Sequence, residues 1–159
     1  MGRIRISKIK DNDQEKAYEF CLSIFNECNW DKKFAYGLKN LREFFGKPRE
    51  IFLLAKKGER IIACGGLKKL SNREALLKRF YVAKSFRGKN LAGLILEKIK
   101  KFAKEKNYKD IVLDIYRDNL RAKRFFQRQG FLTFSPTSYE KWPESKHPEI
   151  FEFRKLNLK

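Results

Sequence analysis

Ile4, Ile6 and Ile9 stand among basic residues near the start of the chain, a short pattern that predicts a first strand. The cluster Asp11-Asn12-Asp13 offers side-chain oxygens to begin a helix. Tyr18, Cys21, Leu22, Phe25 and Cys28 then recur at three and four residues, which places them on one stripe facing a core. A second helical pattern runs from Lys33 to Phe45, with Phe34, Leu38, Leu41 and Phe45 on one face and Gly46 and Pro48 to stop it.

From Glu50 the period changes. Glu50–Lys56 and Arg60–Leu67 are apolar runs of strand type, joined by the compact turn Lys57-Gly58-Glu59, and they predict a hairpin. After the Ser71-Asn72 turn, Ala75–Val82 reads as a third strand, giving an antiparallel meander over residues 50–82. Leu91, Leu94, Ile95, Ile99, Phe102 and Ala103 mark one side of a long helix, and Lys98, Lys100, Lys101 and Lys104 face away. Asp110–Tyr116 is a strand, Asn119–Gln129 a helix ended by Gly130, and Phe131–Phe134 a strand. A loop with Pro and Ser leads to a last strand at Ile150–Leu156. The predicted order is β-α-α-β-β-β-α-β-α-β-β. Strand, helix and strand between residues 75 and 116 imply a parallel pairing, because the crossover helix returns the chain in the same direction. The fold class is α/β, a mixed sheet with helices on both faces. Phe80, Phe86, Phe102, Phe125 and Phe131 read as core residues.

With 159 residues, 42% of them hydrophobic, the chain has the size of one domain around one core, so residues 1–159 are expected to form a single domain. No run approaches the ~20 apolar residues of a membrane-spanning helix, and MGRIRISKIKDNDQ lacks a secretory apolar stretch, which points to the cytoplasm. Cys21, Cys28 and Cys64 form no CxxC pair and there is one histidine, so no metal site is expected and the thiols read as buried apolar groups. The net charge of +19 matters chiefly for its location, since Lys84 to Arg128 carries 14 basic residues against five acidic. Such a surface attracts nucleotide phosphates, nucleic acid or acidic proteins, or serves only to keep the chain dissolved.

Between the third meander strand and the long helix lies Lys84-Ser85-Phe86-Arg87-Gly88-Lys89-Asn90-Leu91-Ala92-Gly93. A short basic loop that opens a helix leaves backbone N–H groups free at the helix's positive end, a site for phosphate oxygens. KRFYV followed by KSFRGKNLA resembles the strand, turn and helix of the GNAT (Gcn5-related N-acetyltransferase) family. That family's loop reads Arg/Gln-x-x-Gly-x-Gly/Ala, matched here by Arg87, Asn90 and Ala92. Asn119-Leu120-Arg121-Ala122-Lys123-Arg124-Phe125-Phe126-Gln127-Arg128-Gln129-Gly130-Phe131 is similar to the family's N-x-x-A-x-x-F-Y-x-x-x-G-F. Both motifs stand at the family's separation, and the resemblance covers nearly the whole chain, most closely from Ala63 to Phe131.

The resemblance implies a GNAT-like acetyltransferase domain that moves an acetyl group from acetyl-CoA directly onto a primary amine. It implies that the main chain of Phe80, Tyr81 and Val82 pairs with the pantetheine arm of coenzyme A like an added strand. The amides of Arg87, Gly88, Lys89, Asn90, Leu91 and Ala92, with Gly93 behind them, would hold the pyrophosphate. Asn119 would reach the cofactor's sulfur end, and Ala122 and Phe125 would line its channel. A splay between the strands of Tyr81 and Ile115 would admit the cofactor. The Val82 amide would donate to the thioester carbonyl and to the oxyanion that forms from it.

Three positions depart from the family's pattern. Asn90 replaces a glycine, but asparagine tolerates positive φ better than most residues. Leu76 stands where many members carry a glutamate base, and Phe126 where many carry the tyrosine that protonates the leaving thiolate. A thiol of pKa ~8.5 costs only about 2 kcal/mol to release as thiolate at pH 7, whereas a lysine-like amine of pKa ~10.4 costs about 4.6 kcal/mol to deprotonate. The base is the more serious absence. Glu74 and Tyr116 are candidates for it, with Asp114, Tyr139 and His147, and the sequence places none of them beside a substrate.

The same features leave other readings open: a CoA-binding domain with little or no catalysis, or a basic module that binds nucleic acid or a ribosome. Arg117, Arg121, Lys123, Arg124 and Arg128 could face the cofactor's 3′-phosphate, a nucleic acid or plain solvent. The acceptor is not legible, because the resemblance puts specificity in the first two helices and in the loop from Ser135 to Glu149. A homodimer through the C-terminal strands is equally open.

Overall fold

The computed structural model describes residues 3–159. Its strands are β1 (Ile4–Lys8), β2 (Ile51–Lys57), β3 (Arg60–Lys69), β4 (Glu74–Val82), β5 (Asp110–Tyr116), β6 (Leu132–Thr133) and β7 (Phe151–Asn157). Its helices are α1 (Gln14–Cys28), α2 (Leu41–Phe44), α3 (Leu91–Glu105) and α4 (Leu120–Arg128). The strands form one mixed sheet in the order β1-β2-β3-β4-β5-β7-β6. The β4–β5 pairing is parallel, as the helical crossover requires, and its ladder ends at Leu76 and Val112. Contacts within the chain divide it into two compact units. One is the chain through Lys68 with Leu77–Phe102, and the other is Lys69–Leu76 with Ala103–Lys159.

In the first unit Ile51–Ala55 and Ile61–Leu67 are buried without alternation, the pattern of strands covered on both faces. Gly66 has a packing reason. A Cβ there would come within 2.5 Å of the Phe45 ring and 2.7 Å of Phe52. Helix α1 buries Ala17, Cys21, Ile24 and Phe25, so the predicted stripe is rotated: Tyr18, Leu22 and Cys28 are only half-buried. The pattern over Lys33–Phe45 buries all four predicted residues, yet it is not one helix. Two 3-10 turns, Lys32–Phe34 and Leu38–Asn40, precede the single turn of α2. Gly37 at φ +77 breaks the helical run, with the Phe44 ring packed where a Cβ would stand. On α3 the stripe also differs, since Leu94 is 51% exposed and Leu96 is fully buried.

Asp13 ties α1's start to β2. Its carboxylate accepts from Lys56 Nζ at 2.5 Å and from the Lys10 amide at 2.8 Å. Burial alone would raise the carboxyl's pKa, but the bonds and charge of Lys56 and Lys10 outweigh it, and the group lies below its ordinary 3.8.

In the second unit β5 pairs with β7 from Asp110–Asn157 to Tyr116–Phe151, and β6 is only two residues long. The loop from Ser135 to Glu149 is not free coil. It contains a 3-10 turn at Pro143–Lys146, and Trp142 is fully buried, with its indole N–H donating to Asp114 Oδ2 at 2.7 Å. Of the five phenylalanines expected in the core, Phe131 is fully buried. Phe80, Phe86, Phe102 and Phe125 are half-buried, because each stands at the margin of its unit's apolar interior.

Two outcomes follow from these contacts. A depressed folded-state pKa contributes stability that is present above the unfolded value and lost as pH falls through the folded one. Asp13→Asn should therefore lower stability by about 1–2 kcal/mol at pH 7 in urea unfolding, with the gap to wild type closing below about pH 4. Trp142→Phe loses the bond to Asp114 and part of the ring's packing. It should cost about 3 kcal/mol and speed proteolysis within residues 135–149.

Candidate functional site

The segment after β4 turns tightly before α3 begins. Phe86 N–H donates to Ala83 O at 2.8 Å, and Arg87 N–H to Lys84 O at 3.3 Å. Gly88 then takes φ +78 and Asn90 φ +63, so asparagine adopts the left-handed conformation expected of it. The Asn90 carbonyl accepts the Leu94 N–H at 3.2 Å. Its side-chain oxygen lies where a Cβ on Gly93 would stand. The first-turn amides of α3, from Leu91 onward, have no acceptor within the helix. Lys57, Arg60 and Lys89 gather around the Phe86 ring at 5.5, 5.6 and 5.5 Å from its centroid. None of the three pairs with a carboxylate among the described residues.

The end of β4 is oriented by its neighbours. Ala83 N–H donates to Ile62 O on β3 at 2.8 Å. Main-chain groups of successive strand residues point to opposite edges, so the N–H and C=O of Val82 point away from β3. Arg87 Nε donates to the Val82 carbonyl at 2.9 Å, and the rest of its guanidinium grips Glu27 on α1 with two bonds of 2.6 and 3.1 Å. The side chain of Arg87 is thus a strut under the loop. Glu27 was not evident from sequence, because the pair spans 60 residues.

Three residues before Val82, Arg79 stands at φ +57 within the strand and is 4% exposed. Its carbonyl accepts the Cys64 thiol at 3.0 Å, and Cys64 Sγ lies 3.8 Å from Cys21 Sγ. Burial, with Cys21 beside it, pushes the Cys64 thiol well above its ordinary pKa of 9.0, which removes it as a nucleophile. Tyr81 sets its ring against Trp30 at 5.8 Å and Phe25 at 6.4 Å. Burial of its hydroxyl raises the phenol above 10.0 although Arg79 opposes this, so it stays protonated at neutral pH.

The remaining candidates lie in the second unit. Asn119 caps α4, its Oδ1 accepting from Ala122 N–H at 3.2 Å, which leaves its NH2 group as the end able to meet a ligand. Ala122 and Phe125 are half-buried, and Phe126 packs edge-on to Phe125 and Phe131 as a core residue. Leu76 is 2% exposed. Glu74 opens β4, whereas Val82 closes it, and its carboxylate accepts from Tyr139 OH at 2.9 Å and faces Lys155 Nζ at 3.5 Å. Asp114 holds Trp142, His147 meets Glu149 at 3.1 Å, and Tyr116 lies on Phe151 with centroids 4.6 Å apart. Glu74, Asp114, Tyr139 and His147 are therefore each engaged through a polar atom, whereas Tyr116 is held through its ring. Of the basic run, Arg117 donates to the Pro148 carbonyl at 2.7 Å and Lys123 faces Glu152 at 3.8 Å. Arg121, Arg124 and Arg128 are exposed.

A sequence profile of the acetyltransferase (GNAT) family matches residues 14–131. A GNAT-family acetyltransferase from Staphylococcus aureus Mu50 superimposes with a TM-score of 0.83 at 25% identity, over 99% of this chain and 100% of that one. The PaiA N-acetyltransferase of Thermoplasma acidophilum, solved in complex with coenzyme A, gives a TM-score of 0.76 at 18% identity, over 98% and 99%. An uncharacterized N-acetyltransferase of Dictyostelium discoideum is 35% identical over 83 residues, which is 52% of this chain and 36% of the relative's length. The chain thus spans about a third of the curated relative it matches. With the profile extending across most of its length, from α1 to the start of β6, the chain belongs to the GNAT acetyltransferase family.

Proposed function

We propose that the protein is a cytoplasmic N-acetyltransferase, acting as one domain over residues 1–159, which transfers the acetyl group of acetyl-CoA directly to a primary amine. The observation that carries this reading is the direction of the Val82 amide, away from β3, at the mouth of a loop with free helix-terminal N–H groups. The donor set suits coenzyme A. Main-chain N–H groups from Gly88 to Ala92, around the two left-handed residues Gly88 and Asn90, would donate to phosphate oxygens, the Arg87 N–H being held by the Lys84 carbonyl, with Lys57, Arg60 and Lys89 adding positive charge. The strand end at Phe80–Val82 offers main-chain groups to an amide-bearing arm.

Acetyl-CoA supplies the activated acetyl group. The Val82 N–H would donate to the acetyl carbonyl and stabilise charge on that oxygen. Arg87 holds the Val82 carbonyl, which fixes the peptide that follows Val82 and so restrains the strand end. Both thiols of the Cys21–Cys64 pair are buried, which favours direct attack by the amine over an acylated cysteine. With Leu76 and Phe126 apolar and buried, the amine must arrive as the free base and the thiolate leave unassisted.

The same two residues favour a second reading, a CoA-binding domain that turns over slowly or not at all. Thiol release from acetyl-CoA across a panel of primary amines separates the two, since turnover no faster than buffer leaves only the binding domain.

Acetyl-CoA at about 100 times its Kd should raise the melting temperature by about 5 °C or more, and Gly88→Trp, which fills the loop's mouth, should abolish the rise. No shift for the wild type would defeat the proposal. Without a protein base, kcat/KM for n-butylamine should climb about tenfold per pH unit between about pH 7 and 9, following the free amine. A plateau in that range would reveal a base on the protein.

A further inference from the structure

We infer that Arg79 is a positioning residue, one that fastens the Phe34–Tyr36 segment to β4 and so sets the path by which the amine reaches Val82. The inference rests on the proposed transfer reaction. Nη2 of Arg79 donates to the Phe34 carbonyl at 2.8 Å and to the Tyr36 carbonyl at 2.5 Å, and Nη1 lies 3.5 Å from the Tyr81 hydroxyl. The guanidinium also lies over the Tyr36 ring at 4.9 Å and the Phe25 ring at 5.7 Å. A lysine cannot reproduce this, because a single ammonium on a flexible stem lacks the planar fork that bridges two carbonyls while stacking on a ring.

The backbone makes this reach possible. Side chains of a regular strand alternate between faces, and the left-handed conformation at Arg79 breaks the alternation. Lys78 and Arg79 consequently both lie over Tyr36, at 5.6 and 4.9 Å from its centroid. A non-glycine residue persists at such φ only where its surroundings hold it there. Here the Cys64 thiol binds its carbonyl, and three oxygens face its side chain.

Tyr81 faces Trp30 and Phe25, and the chain from Trp30 through Phe34 to Tyr36 closes the same side of β4. An amine that reaches a carbonyl held at Val82 from this face passes the segment that Arg79 holds. Arg79 touches none of the reacting atoms, so its loss should appear in the amine's KM before it appears in cofactor binding.

The test uses Arg79→Gly, which accepts the positive φ without strain but removes the fork, and Arg79→Lys, which keeps the charge. The measurements are acetyl-CoA binding by calorimetry, kcat and KM with n-butylamine, and hydrogen exchange of residues 31–38 in the free protein. Arg79→Gly should leave acetyl-CoA affinity within about twofold, raise the amine KM about tenfold and more than it lowers kcat, and speed exchange in residues 31–38. Arg79→Lys should fall between it and wild type. An unchanged amine KM, or equal losses in amine and acetyl-CoA binding, overturns the role. Should Arg79→Gly not fold, Arg79→Lys decides by the same criteria. A wild type that binds no acetyl-CoA defeats the proposed reaction instead, while unchanged exchange in either variant defeats the inference by itself.

Discussion

A main-chain amide inside a sheet is normally consumed by its neighbour, so a site that works with such amides needs a strand whose pairing is interrupted. Strand β4 meets that constraint. Its ladder to β5 ends at Leu76–Val112, Arg79 departs from strand geometry, and Ala83 turns its N–H to β3, directing that of Val82 the other way. The loop that follows continues the theme, because the start of α3 leaves its first amides without partners. Chemistry read from this region therefore depends on backbone direction more than on side-chain identity.

Under the proposed transfer, that dependence explains how the usual acid and base can be missing. Leu76 and Phe126 are packed into apolar surroundings, and no polar group at either position could act without first being desolvated. Most of the titratable groups that sequence suggests in their place are tied into structure: Glu74 to Tyr139 and Lys155, Asp114 to Trp142, His147 to Glu149. Such engagement stabilises each unit. Under the proposed transfer, such a site favours acceptors that arrive as the free base.

The large basic excess divides into different jobs. Arg79, Arg87, Lys56 and Arg154 are structural cations, each holding carbonyls or a carboxylate within its own unit. Lys57, Arg60 and Lys89 gather on one aromatic ring beside the loop, with no carboxylate paired to them among the described residues. Net charge alone does not distinguish these uses, although they differ in consequence. Removing a buried strut unsettles packing, whereas removing a surface cation weakens attraction to anions.

Read as periodicity, the sequence determined the order of strands and helices, the parallel crossover through α3, the basic loop and a helix α4 ended by Gly130. Each depends on neighbours within about one or two turns of chain, where spacing and local chemistry suffice. It also located four buried residues between Phe34 and Phe45 while mistaking their backbone, since Gly37 and the Phe44 ring break the helix that the spacing suggests. Lys78-Arg79, two adjacent charges in an apolar strand, hinted at the irregularity of β4 without revealing it. Only the tertiary structure decided that Arg79 reaches back about 45 residues to hold Phe34 and Tyr36, that Arg87 joins Glu27 across 60, and that Trp142 is buried against Asp114. Those pairings turn on long-range packing and on the direction of single peptide groups, which no local pattern of residue types encodes.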